Sequence, residues 1–206
     1  MRPFWLAVGF GVMVAGPASG QDSAVARRVD SVPPSRITNA GVLRATAATD
    51  SVFIQRSLLV DTVDIGDFTA FLLANIGAPP FPDSLGFRVT ADSQRIWLTG
   101  RLADFPAENR ADLGPIFSFL DPRSPVTAEV SMPQSDSGIL IFRLERLSVK
   151  GFVVPDLLLL AAMSKFKQEY PRMLAGDGRE FHVATPVQAH ARLVRNAIVL
   201  EMPRTP

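Results

Sequence analysis

The chain lacks cysteine altogether and has only two histidines among its 206 residues. Without cysteine there is no disulfide framework, no thiol nucleophile and no lipid-modified N-terminal thiol, so stability has to come from a buried core. His182 and His190 are eight residues apart with Pro186 between them, roughly 25 Å if the chain is extended, and they read as ordinary strand residues rather than metal ligands. A Gly-x-Ser-x-Gly elbow, a His-Glu-x-x-His pair and a phosphate-cradling glycine loop are all missing from the sequence. Charge of one sign is missing as well: 21 basic residues face 20 acidic ones, with no basic run interleaved with aromatics. That balance excludes the long-range field that gathers nucleic acid.

What the N-terminus does have is Arg2, an apolar stretch from Phe4 to Ala15, and then Gly16-Pro17-Ala18-Ser19-Gly20. Basic start, short hydrophobic centre and small residues in that order predict a secretory signal peptide over 1–20, cleaved before Gln21. The stretch is too short to cross ~30 Å of hydrocarbon comfortably. Removing it takes away Arg2 and no acid, which leaves the remainder with no formal net charge. The expected address is therefore the periplasm or cell envelope. Residues 21–36 are polar, aperiodic and contain Pro33-Pro34, so they are expected to form a flexible leader to a single domain over 37–206.

Within that domain, Ile65, Phe68, Phe71, Leu72 and Ile76 share one helical face, with Asp64 as N-cap, Asp67 in the first turn, and Gly77 followed by Pro79-Pro80 as the stop. The period then changes to two. Leu85 to Ala91 and Ile96 to Leu102 predict a hairpin with one dry face, and Val126 to Met132 and Ile139 to Val149 a second pair. In the last strand the dry side passes from Leu140, Phe142 and Leu144 to Leu147 and Val149, which predicts a bulge at Glu145. A weaker helix is expected over 107–120, and strands over 42–54, 58–63, 180–187, 188–194 and 197–202. Between them, Pro155-Asp156 opens a helix that is apolar nearly all round from Leu157 to Met163 and so needs protein or ligand on most sides. The sum is an α+β domain with an antiparallel sheet of six to eight strands and two main helices on one face.

No carboxylate constellation for acid-base work stands out, and neither catalytic residue nor cofactor is expected. Asp61, Asp64 and Asp67 sit where a helix start already favours acids, and Asp121 and Asp136 lie in turns; Asp104 and Glu108 follow the hairpin. The remaining candidate is apolar surface. Phe68, Phe71 and Leu72 on one helix, Leu158, Leu159, Ala162 and Phe166 on the other, and Phe87 and Phe142 on the strands can line a space between helix and sheet. That space is either a ligand groove or an ordinary dry core.

The order of these features resembles the small periplasmic members of the tubular lipid-binding superfamily. The carrying residues are Asp64 to Leu73, Ser84 to Leu102, and above all Ser137-Gly138-Ile139-Leu140-Ile141-Phe142-Arg143-Leu144 running through Lys150-Gly151-Phe152-Val153-Val154-Pro155 into the leucine-rich helix. The resemblance implies a strongly curved sheet wrapped around one long apolar helix, with a shorter amphipathic helix beside it. It also implies binding of a lipid, acyl chain or other elongated apolar ligand between helix and sheet, and no catalytic residues. The alternative reading is a non-catalytic envelope assembly module with a filled core and a protein partner. N-terminal sequencing of the protein recovered from an envelope extract checks the address: the expected first residue is Gln21, and a chain retained in the cytoplasm and starting at Met1 contradicts it.

Overall fold

The computed structural model describes residues 33–75, 86–104, 120–133, 138–169, 174–175 and 178–203. The expected helix over 107–120 lies almost wholly outside them, as does Ile76. Residues Pro34–Pro206 form one compact unit. In chain order the elements are β1 (Ser35–Arg36), α1 (Asn39–Thr49) continued by a π turn (Asp50–Ile54), β2 (Val60–Asp64), α2 (Ile65–Asn75), β3 (Arg88–Ala91), β4 (Arg95–Arg101) and a 3-10 turn (Leu102–Asp104). There follow β5 (Pro125–Ser131), β6 (Ile139–Val149), β7 (Phe152–Val153), α3 (Asp156–Glu169), β8 (Leu174–Ala175), β9 (Glu180–Ala184), β10 (His190–Val194) and β11 (Ala197–Glu201). Ser35 and Arg36, placed at the end of the leader by the sequence, are thus a strand.

The chain is α+β and its strand pairs are antiparallel, but the strands divide between two sheets. Eight belong to the larger, in the order β1-β3-β4-β5-β6-β9-β8 with β7 also on β6; the smaller is β10-β11-β2. A single sheet of six to eight strands was expected because alternation marks a strand without naming its partner. Here β2 pairs with β11, at the far end of the sequence.

The second difference is α1, a helix where residues 42–54 were expected to be a strand. Thr38 caps it by accepting a hydrogen bond from the Gly41 N–H at 3.0 Å, and Ala40, Ala45, Ala47 and Ala48 favour helix over strand. Gly41 and Ala45, one turn apart, are the buried residues of this helix. A side chain at Gly41 would start 2.5 Å from a carboxylate oxygen of Asp67, so glycine is what lets α1 and α2 approach.

The predicted bulge is present. Glu129 faces Arg146 but Val130 faces Leu144, so Glu145 is the extra residue, and burial passes from Leu140, Phe142 and Leu144 to Val149. Both edges of β6 are used. Against β5 it pairs from Arg143 to Val149; on the other side β9 covers Ile139–Arg143 and β7 covers Ser148–Val149. Between them the Leu144 N–H donates to the Arg179 carbonyl at 2.9 Å and the Val154 N–H donates to the Leu147 carbonyl at 2.8 Å. The chain that contains α3 therefore leaves β6 at Leu147 and returns to it at Leu144.

Asn196 joins the two sheets. It occupies the corner between β10 and β11 with φ +52°. Its N–H donates to the Ala91 carbonyl at 3.0 Å, its Oδ1 accepts from the Ala91 N–H at 2.9 Å, and its carbonyl accepts from the Ile65 N–H at the start of α2. Asn196→Ala removes the side-chain acceptor and leaves a β-carbon in the left-handed region, for an expected loss of about 1–3 kcal/mol in urea unfolding. Asn196→Gly relieves the strain and should lose less; equal stability of both variants and the parent contradicts this reading.

Candidate functional site

The apolar residues singled out by periodicity separate into two places. Phe68 on α2 is 2% exposed and its ring centroid lies 5.9 Å from that of Phe71 on the same helix and 5.9 Å from that of Phe142 on β6. Tilted rings at this separation sit in the favourable range for aromatic pairs. Phe87 is buried in the same cluster, and Phe71 and Leu72 are half-buried against it. Ile65, Val89, Ile198 and Leu200 complete the surroundings, so both sheets and both N-terminal helices contribute. An opening wide enough for a ligand beside Phe68 or Phe142, also 2% exposed, would leave accessible surface on those rings. At that position the space is packed.

Leu158 and Leu159 lie elsewhere, on α3. Leu159 is 2% exposed and Leu158 half-buried, and among the described residues neither belongs to the Phe68 cluster. The side chains of Ala162 and Phe166 fall outside the described residues. The sequence joined the two groups because both are apolar at helical spacing, and spacing alone does not say which faces meet.

Around α3 the structure shows what the sequence did not. Pro155 offers its carbonyl to the N–H groups of Leu158 and Leu159, both at 3.0 Å, and Asp156 in the first turn forms an ion pair with Arg179 at 3.3 Å. Acid at this end suits the helix dipole. The ion pair closes the base of the excursion at the point where the chain leaves and rejoins β6. A small second core of Leu102, Val126 and Val149, with Leu147 and Val154 against it, lies under this base. Beyond it apolar side chains emerge into solvent: Phe152 is 79% exposed, Val153 54% and Leu157 79%. Leu160 and Met163 are half-buried. The sequence held one signal for this, the all-round apolarity of the helix; it could not tell which sides the protein leaves uncovered.

The acidic residues have structural partners. Asp64 Oδ1 accepts from the N–H groups of Gly66 at 2.8 Å and Asp67 at 3.3 Å, and its Oδ2 accepts from the Ser35 hydroxyl at 2.6 Å. Asp67, 7% exposed, takes a bidentate pair of hydrogen bonds from Arg44 at 2.6 Å each. This hydrogen bonding, with the attraction of the carboxylate charge, holds the Arg44 guanidinium pKa above its ordinary value. Asp61 accepts from the Thr62 N–H, Asp104 from the Arg101 N–H and Asp121 from the Arg123 N–H, each at 2.7–2.8 Å. Glu108 and Asp136 lie outside the described residues.

His182 lies 3.2 Å from Glu180, whose other oxygen accepts from Arg143 at 2.9 Å; His190 is exposed and faces Glu201 across the strand pair. Among the described residues no group of three or more His, Cys, Asp or Glu could hold a metal ion, and no helix is long and apolar enough to cross a membrane.

No protein-family model, curated protein or solved structure matches the chain. The functional reading therefore stands on the sequence and the geometry. Phe142→Ala distinguishes a packed ring from a groove wall: truncation inside a packed core should cost about 3–5 kcal/mol in denaturant unfolding. A loss below about 1 kcal/mol would show a ring lining open space.

Proposed function

We propose that this chain is a non-catalytic protein of the cell envelope that binds a lipid or another elongated apolar ligand along α3. The observation that carries the reading is the uncovered apolar surface running from β7 into that helix, where Phe152, Val153 and Leu157 are each more than half exposed and Leu158, Leu160 and Met163 only half-buried. Removing such surface from water is favourable by ~25 cal/mol per Å². A monomer therefore has a standing reason to cover it. The signal-peptide pattern of residues 1–20 supports an envelope address, and the resemblance to the tubular lipid-binding superfamily supports the class of ligand. In the finer form of this reading the larger sheet, bent by the Glu145 bulge, curves around α3 and the ligand lies between them.

A second reading has its own support. The closed cluster around Phe68, Phe87 and Phe142 is what a filled assembly module would have, in which case the exposed residues meet a protein partner. Organic extraction of the purified protein followed by mass spectrometry, with titration of a fluorescent fatty acid, separates the two. The ligand reading expects a co-purifying lipid and saturable uptake. A clean extract with no uptake favours the assembly module. Leu159→Asp places a charge at a 2% exposed position of α3 and is expected to abolish uptake, through either unfolding or a spoiled site; unchanged uptake and unchanged stability contradict any role for this helix.

A further inference from the structure

We infer that the β6–β7 corner and the first turn of α3 dock on the surface of an anionic lipid bilayer, a role that rests on the proposed lipid ligand and supplies its point of exchange. The corner is a two-residue turn, with Lys150 at φ +53° and Gly151 at φ +81° between the paired residues Val149 and Phe152. Left-handed conformations at both positions match the twist of the flanking strands, and glycine adopts the second without strain. The Lys150 N–H donates to the Pro125 carbonyl at 2.8 Å and the Val154 N–H to Leu147, so the corner is held outward on backbone bonds rather than left to collapse.

From Lys150 to Leu157 every residue but Val154 is exposed. Phe152 and Val153 are neighbours on a strand and point to opposite faces, yet they are 79% and 54% exposed, so the ribbon presents apolar side chains on both sides. A rigid protein surface covers one side of a ribbon; the fluid boundary of headgroups and acyl chains surrounds both. The charges point the same way. Lys150 is exposed at the tip, and its bond to Pro125 brings the turn that carries exposed Arg123 alongside. Of the nearby acids, Asp156 is paired with Arg179 and Asp121, held by the Arg123 N–H, keeps its charge, so Lys150 and Arg123 leave the corner with one positive charge in excess. Two outward cations beside three apolar side chains are the pattern that partitions to an anionic interface.

Co-sedimentation of the purified protein with phosphatidylglycerol vesicles, against phosphatidylcholine vesicles, tests the inference. The parent should partition to the anionic vesicles and weaken with added salt. Phe152→Ser with Leu157→Ser should lower partitioning about tenfold or more, and Lys150→Glu with Arg123→Glu should abolish the preference for anionic lipid. Because these side chains are exposed, the urea midpoints of both variants should stay at the parent's value, and the Lys150/Arg123 variant should take up fatty acid without vesicles as the parent does. Failure of the parent to bind either vesicle, or parent-like binding by the Phe152/Leu157 variant, overturns the inference while leaving fatty-acid uptake to judge the ligand reading separately. A parent that is dimeric by light scattering and made monomeric by Phe152→Ser also overturns it, since the surface then belongs to a second copy of the chain. Vesicle binding by a parent that takes up no fatty acid supports the docking surface and removes the carrier function.

Discussion

Strand β6 has to satisfy hydrogen-bonding groups on both of its edges across a bulge, and that constraint positions everything that bears on function. One edge pairs with β5 from Arg143 to Val149, and the extra residue Glu145 bends it. The other edge is shared between β9 and β7, which approach from opposite ends and leave Leu144 and Leu147 to accommodate a chain that departs and returns. Because buried backbone groups need partners, the two points of attachment are fixed, and α3 can only leave from there. The Asp156–Arg179 ion pair contributes less than these bonds. With the carboxylate 77% exposed, such a pair is worth about 0–1 kcal/mol, so it aligns the base of the excursion more than it holds it.

The remainder of the molecule builds a separate foundation. Helices α1 and α2 meet where Gly41 has no side chain, Arg44 closes over Asp67 there, and Asn196 ties the corner of the smaller sheet to β3 and to the start of α2. This half holds the closed aromatic cluster. The excursion around α3 carries the uncovered apolar surface instead. The proposed ligand binding accounts for that division, since a protein with a closed packed half stays folded while the surface along α3 is empty.

Much of this was legible in the sequence where the signal is local. The Asp64 cap, the hairpin expected over 85–91 and 96–102 and the parity change at Glu145 follow from side-chain chemistry and the period of two; the cap and the bulge are found, and the hairpin pairs Arg88–Ala91 with Ile96–Thr99. Helix α1 was missed because Val42, Val52, Phe53 and Ile54 read as strand formers; the Thr38 cap and the alanines between them outweighed that preference. The division into two sheets was illegible, since it depends on which distant strand β2 meets. The same limit applies to the site. Phe68, Phe71 and Phe142 could be recognised as apolar, and their meeting as a closed cluster is a tertiary fact. So is the exposure of Phe152 and Leu157, which look in the sequence like any other hydrophobic residues.

Hydrogen–deuterium exchange with and without a long-chain fatty acid tests most directly whether α3 and its approach form the ligand-binding surface. The account predicts slowed exchange confined to the amides of residues 152–163, with those of β10 and β11 unchanged. Protection that instead falls on the strands around Phe68 and Phe142, or no protection anywhere, would contradict it.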